Sequence, residues 1–197
     1  MQRYLNRLPY NTEPPPGRAT LRSFRGVVRS GCVHCLEAAL FAAVVLEQHG
    51  FPPLVLSLES VDELDHVIFI YRGRGGWGSV ARSRDPGLHG RKPVFATPRG
   101  LALSYFDPFI DRTGCITGYA VVDLRELGPY DWRLAEHNVW KAERLLLARR
   151  HRPVRASPRR VARLRSRYCA FKDEHPDRKP LWYQGRERWT GIPREFY

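Results

Sequence analysis

Residues 30–50 read SGCVHCLEAALFAAVVLEQHG, and this stretch decides the fold. Between residues 36 and 46 only Glu37 is polar, so apolar side chains wrap the whole circumference of a helix instead of forming one stripe. A helix that is hydrophobic all round is buried. Ser30 and Gly31 are start signals for it, and Gly50 followed by Phe51-Pro52-Pro53 is a stop. Cys35 then falls in the first turn, where the positive end of the helix dipole favours a thiolate. Such a thiolate is a nucleophile that needs a base, an orienting group and a groove.

The flanking chain reads mainly as strands. Residues 54–59 (LVLSLE) form a strand, 60–65 (SVDELD) an acidic loop, and 66–71 (HVIFIY) a second strand. The second strand has apolar residues on both faces, which makes it central and covered on both sides. Residues 72–76 (RGRGG) are a hairpin turn, 77–83 the returning strand, and 84–92 (RDPGLHGRK) a loop rich in turn formers. Thr97-Pro98 opens a short helix to about residue 105, and 115–124 is another strand. A helix over 134–148 follows, and Ser157-Pro158 opens one with Val161, Leu164, Tyr168 and Phe171 on one face. Upstream, residues 21–29 read as a short strand or turn. Residues 1–20, with prolines at 14–16, read as an arm packed on the domain or extended from it. The organisation expected is an arm (1–20), one α+β domain (21–150) and a basic C-terminal extension (151–197), whose last 25 residues lack clear periodicity.

Composition narrows the class. A chain of 197 residues suits one domain with a real core, and 43% hydrophobic content with nine Phe, nine Tyr and five Trp argues against disorder. The longest apolar run, residues 38–46, is too short to span a bilayer. The opening MQRYLNRLPYNTEPPPGR has no apolar core of a signal peptide. These features read as a soluble, cytoplasmic protein with no membrane partner. Four cysteines do not make a disulfide scaffold. The formal charge of +13 predicts attraction to polyanions but says nothing of fold or activity.

Thiol-dependent acyl chemistry needs a thiolate, an imidazole to exchange protons with it, and a group that fixes the imidazole's tautomer. Cys35 supplies the first. His66, opening the central strand after an acidic loop, is the polar residue best placed to be the second. Asp85 lies just past the hairpin that His66 opens: with a turn near Arg74, His66 pairs roughly opposite Arg82, a few residues short of it. Asp85 reaches the ring if the chain bends there.

The helix CLEAALFAAVVLEQHG, with Cys35, Ala39 and the closing Gly50, resembles the helix motif of the transglutaminase-like superfamily. These are papain-fold proteins with a Cys-His-Asp triad. The later blocks of that family, a histidine opening a strand, a Gly-Trp hairpin and an Asp-Pro pair, are matched in order by His66, Gly76-Trp77 and Asp85-Pro86. The bacteriocin-processing cysteine peptidases are similar too. The resemblance covers roughly residues 30–90 and implies a papain-like core. It also implies Cys35 as nucleophile, His66 as general base and acid, and Asp85 as orienter. The family's aspartate falls near Ala81 or Arg82, so Asp85 requires a short insertion.

Other readings stay open at this point. Cys35 can be a buried small hydrophobe and His66 a satisfied structural histidine, with Asp65 in place of Asp85 as its partner. Asp85-Pro86-Gly87 is also an ordinary turn. Cys32-Val33-His34-Cys35 is a CxxC, but Cys115 and Cys169 are single and widely separated, unlike a zinc site. A redox pair normally follows a strand in a βαβ context, and haem attachment needs a histidine where Leu36 stands. His89 is a second candidate base or a solvated loop residue. Residues 141–167 hold eleven Lys or Arg against one acidic residue, Glu143, an electrostatic footprint for non-specific polyanion binding. Arg159, Arg160, Arg163 and Arg167 also suit the solvated side of an amphipathic helix.

The expectation is an α+β, papain-like or transglutaminase-like hydrolase or acyl transferase. Its substrate is an amide or ester such as a peptide, it uses Cys35, His66 and Asp85, and it needs no cofactor or metal. The backbone N–H of Cys35 is one oxyanion donor. The alternatives are a catalytically inactive scaffold of the same fold and a nucleic-acid-binding protein acting through its basic C-terminal part.

Overall fold

The computed structural model describes residues 1–13 and 17–178. The proline run at 14–16 and residues 179–197 of the basic extension lie outside them. Helix α3 (Cys35–Glu47) forms over the apolar run, with Leu36 to Ala43 wholly buried and the last turn half-exposed. Its start lies later than the sequence suggested. Ser30 and Gly31 close a preceding helix, α2 (Phe24–Ser30), where a strand or turn was expected. The Ser23 hydroxyl caps that helix by accepting from the Gly26 amide, and Gly31 ends it with a left-handed φ of 65°. The cap-and-glycine pair outweighs the β-branched Val27-Val28.

After α3 the chain builds β1 (Leu54–Ser60), β2 (His66–Gly73), β3 (Gly76–Val80), β4 (Arg91–Phe95), β5 (Ile116–Asp123) and β6 (Arg152–Pro153). They form one open sheet, antiparallel at every pairing, in the order β4-β3-β2-β1-β5-β6. The hairpin pairs Phe69 with Val80 and Arg72 with Trp77, one residue away from the register read off the turn. Strand β4 falls where a loop was expected. It hides Pro93, tolerable because an edge strand leaves one side unpaired.

Strand β2 is buried on both faces, as its composition demands. Val67 and Phe69 join α3 and β1's Val55 in one core, while Ile68 and Ile70 join Leu56 and Leu58 in a second. The first core also takes Leu5 of α1 (Gln2–Arg7), Trp132, and Ala142 and Leu146 of α6 (Trp140–Leu147). Helix α6 begins later than residue 134 because Asp131 accepts from the Arg133 and Leu134 amides and turns the chain there. The second core is covered by α4 (Pro98–Leu103), α5 (Phe106–Phe109) and α7 (Pro158–Glu174), the last through Leu164. Helices thus lie on both faces of the sheet. Among the described residues no helix is long and apolar enough to cross a membrane.

Because Phe69 is fully buried in the central strand, Phe69→Ala is expected to cost about 3–5 kcal/mol in urea unfolding. Val28→Ala, at a position 53% exposed, is expected to stay within about 0.5 kcal/mol.

Candidate active site

The single polar residue of the apolar run anchors the site. Glu37 is completely buried and takes a bidentate fork from Arg22, Nε to Oε1 at 2.7 Å and Nη2 to Oε2 at 2.9 Å. The Arg22 amide donates to Oε1 at 2.9 Å and the His34 amide to Oε2 at 3.0 Å. Glu37 therefore fixes both the approach segment and the residue preceding the helix, as a carboxylate three positions into a helix can. Burial alone would push its carboxyl up; the Arg22 fork and the charge on His34 hold it below the usual carboxylate range.

Cys35 is the first residue of α3, half-buried, and has two imidazole partners. Burial alone would raise its thiol, but hydrogen bonds and positive charge from His34 and His66 outweigh that and hold it well below the ordinary value. His34 donates through Nε2 to the Thr20 carbonyl at 2.9 Å and has Glu37 at 3.7 Å. Burial opposes its protonation. The bond to Cys35, the thiolate charge and Glu37 nevertheless raise it to about 9. A depressed thiol thus sits beside an imidazole that is held protonated by the same contact. Cys32 turns elsewhere, accepting from Arg22 Nη1 at 3.3 Å, and all four cysteines are free thiols.

His66 opens β2, is buried, and meets Cys35 from the strand end. Its Nε2 lies 3.0 Å from the Leu88 carbonyl. A carbonyl only accepts, so Nε2 carries the hydrogen, and in the neutral ring Nδ1 is left with the lone pair that can take a proton. Asp85 lines the same cavity as Cys35 and His66. Its backbone carbonyl accepts the Leu88 amide at 2.9 Å, opening the 3-10 turn over Pro86–Leu88 that delivers the Leu88 carbonyl. Asp65 accepts the Ser60 amide at 2.8 Å and also faces the cavity. His89 is not a solvated loop residue but buried, its Nε2 3.0 Å from the Ser83 carbonyl, because the loop folds back on the sheet.

The cavity beside Cys35 measures about 170 Å³ and is walled also by Tyr10, Leu88 and Tyr168. A second hollow of about 300 Å³, holding His34 and Trp140, shares Tyr10 and Arg84 with it. Tyr10 is fastened there by the bonds Val33 N to Pro9 O (3.1 Å) and Asn11 N to Val33 O (3.0 Å). Its hydroxyl faces the amide and the thiol of Cys35. Burial and the thiolate charge keep the phenol protonated. The amide assigned from sequence to an oxyanion therefore lies beside the Tyr10 hydroxyl. Among the described residues no group of three or more His, Cys, Asp or Glu is arranged to hold a metal ion.

Sequence reading missed His34, Tyr10 and the Leu88 carbonyl. A glutamate alone in an apolar helix did signal a hidden cation, and His34, three residues before it, held the N-cap position. Tyr10 is 25 positions from Cys35 and carries no local signal. In comparisons with known proteins, the chain matches no family model and no curated protein.

Glu37→Gln is expected to cost about 3 kcal/mol at pH 7 by leaving Arg22 unpaired. Because the folded carboxyl is depressed, its stabilisation is full above about pH 4.3 and is lost as pH falls through the folded value. The variant's melting temperature should thus fall less steeply than the native protein's on acidification below about pH 4.3.

Proposed function

We propose that the chain performs thiol-dependent acyl chemistry on an amide or ester within a papain-like, transglutaminase-like core. The observation that carries this reading is a depressed thiol at the head of a buried helix, set between two histidines and opening on a cavity that His66 also lines. Inert buried cysteines have raised thiols, as burial gives Cys115 here. The Cys35 thiolate attacks the carbonyl carbon, and the oxygen takes the negative charge. Accepting the Cys35 N–H would require that oxygen to displace the Tyr10 hydroxyl. Collapse expels the leaving group, which takes from Nδ1 of His66 the proton that the ring accepted from the Cys35 thiol, and leaves a thioester. Nδ1 of His66 then removes a proton from water or an amine that attacks the thioester, freeing Cys35. Leu88 holds the ring's far nitrogen, with Asp85 acting through the turn it opens and from the cavity wall.

A second reading, a binding module that has lost catalysis, is favoured by one observation: Tyr10 shares the cavity with Cys35 and sets its hydroxyl against it. Polyanion binding through residues 141–167 has less free charge than the sequence suggests. Arg160 pairs with Asp107 at 2.6 Å, and Arg165 donates to the Asp111 and Thr113 carbonyls. Arg159 and Arg163 remain exposed on α7.

Iodoacetamide should label Cys35 ahead of Cys32, Cys115 and Cys169, with an apparent pKa below the ~8.5 of a free thiol. His66→Ala should raise that pKa by ~1 unit and so slow labelling about tenfold at pH values below the native thiol's pKa. Cys35→Ala should abolish release of 4-nitrophenol from its acetate ester. Equal labelling of all four thiols, indifferent to His66, sinks the enzyme reading; selective labelling without turnover of any ester or peptide favours the binding module. For the polyanion reading, binding to a DNA duplex should fall steeply with salt and weaken in Arg159→Gln/Arg163→Gln. Salt-independent binding rules it out.

A further inference from the structure

The carbonyl that orients His66 belongs to a short loop, and one buried arginine grips that loop from behind. Arg91, at the start of β4, is only 1% exposed although its guanidinium is always charged. Its Nη2 donates to the Gly87 carbonyl at 2.7 Å, and its Nη1 donates to the His89 carbonyl at 2.6 Å and the Gly90 carbonyl at 3.3 Å. Nε reaches the Ser104 hydroxyl at 3.3 Å, and the Tyr105 ring lies 4.0 Å under the guanidinium. Tyr105 adds its own bond, hydroxyl to the His89 carbonyl at 3.0 Å.

The pattern of these bonds matters more than their number. Carbonyls 87 and 89 both point at the guanidinium, and the carbonyl between them, Leu88, points away to His66 Nε2 at 3.0 Å. With both neighbouring carbonyls gathered by one planar fork and the His89 amide donating to the Pro86 carbonyl at 3.2 Å, the Leu88 peptide is fixed at both ends and in its own plane. A carbonyl carries no net charge, so what it supplies to the ring is a proton position and a direction. That direction is only as firm as the loop that carries it.

Resting on the acyl-chemistry reading, we infer that Arg91 is a positioning residue for His66. By clamping the Gly87 and His89 carbonyls it aims the Leu88 carbonyl, which sets the tautomer and the angle of the imidazole facing Cys35. Arginine suits the task because its fork of five donors meets several acceptors in one plane, which a lysine ammonium does not.

The test is the pH profile of Cys35 labelling by iodoacetamide, with folding followed by circular dichroism. Arg91→Met should raise the apparent pKa of Cys35 by about one unit and slow labelling about tenfold at pH values below the native thiol's pKa. Arg91→Lys should fall between Met and the native residue. In a His66→Ala background the Arg91 substitutions should have no further effect, since Arg91 acts only through that ring. If Arg91→Met does not fold, Arg91→Lys and Tyr105→Phe decide the matter by the same comparison. An unchanged profile in the folded variants, or an equal change with and without His66, overturns the inference. Failure of the underlying reading looks different: the native protein itself then labels at Cys35 with an ordinary thiol profile, indifferent to His66→Ala.

Discussion

The whole site hangs on an ion pair whose carboxylate is shut away from water. Glu37 is buried completely, and its oxygens are met by the Arg22 guanidinium, the Arg22 amide and the His34 amide. Two charges in the interior gain little net stability over an apolar pair, because desolvation offsets their attraction. What they do impose is geometry. Helix α3 can slide in an apolar layer at small cost, but Glu37 cannot leave its fork, so the first turn of the helix stays level with Arg22 and Thr20. His34 is thereby held beside Cys35 with a carboxylate nearby, which is why that imidazole keeps its proton up to about pH 9. The acidity of the thiol thus descends from a contact two residues further along the helix.

The site is a joint between the two layers that the sheet separates. Cys35 arrives with α3 on one face. His66 shares the parity of Ile68 and Ile70, which face the other core, and its ring lies 6.1 Å from that of Tyr105. They meet only because β2 begins at His66, where the sheet no longer stands between the layers. The loop bearing Leu88 and the N-terminal segment bearing Tyr10 close the joint from two sides. Gln2 fastens that segment too, its side-chain amide pairing with both backbone groups of Ala81 as a strand would.

Much of this was legible in the chain. The buried helix, the strand opened by His66 and the α+β class follow from apolar runs whose length and flanks leave one assignment each. Thr97-Pro98 and Ser157-Pro158 start helices as written, with both hydroxyls capping. The misses share a cause: local signals with two uses. Ser30-Gly31 suits a helix start by composition, but the left-handed glycine makes it an end. Pro93 argues against a strand unless the strand is an edge, and edges are decided by topology. Cys35 and His66 could be named because each opens a patterned element. The Leu88 carbonyl could not, since a backbone acceptor has no residue signature, and Tyr10 joins the site only through chain folded back on itself.

The edges of the sheet carry a consequence for how a peptide could approach. On one side β4 presents Lys92 and Pro93; on the other, β6 is two exposed residues long and ends in Pro153. A proline has no N–H to offer, and a lysine must lose water to be covered. Neither rim, as the described residues form it, presents the uninterrupted ladder that a visiting strand needs. On the acyl-chemistry reading, a peptide substrate would then be held by side chains and loop backbone around the cavity and not as an added strand, so its recognition would depend on what those few groups can touch.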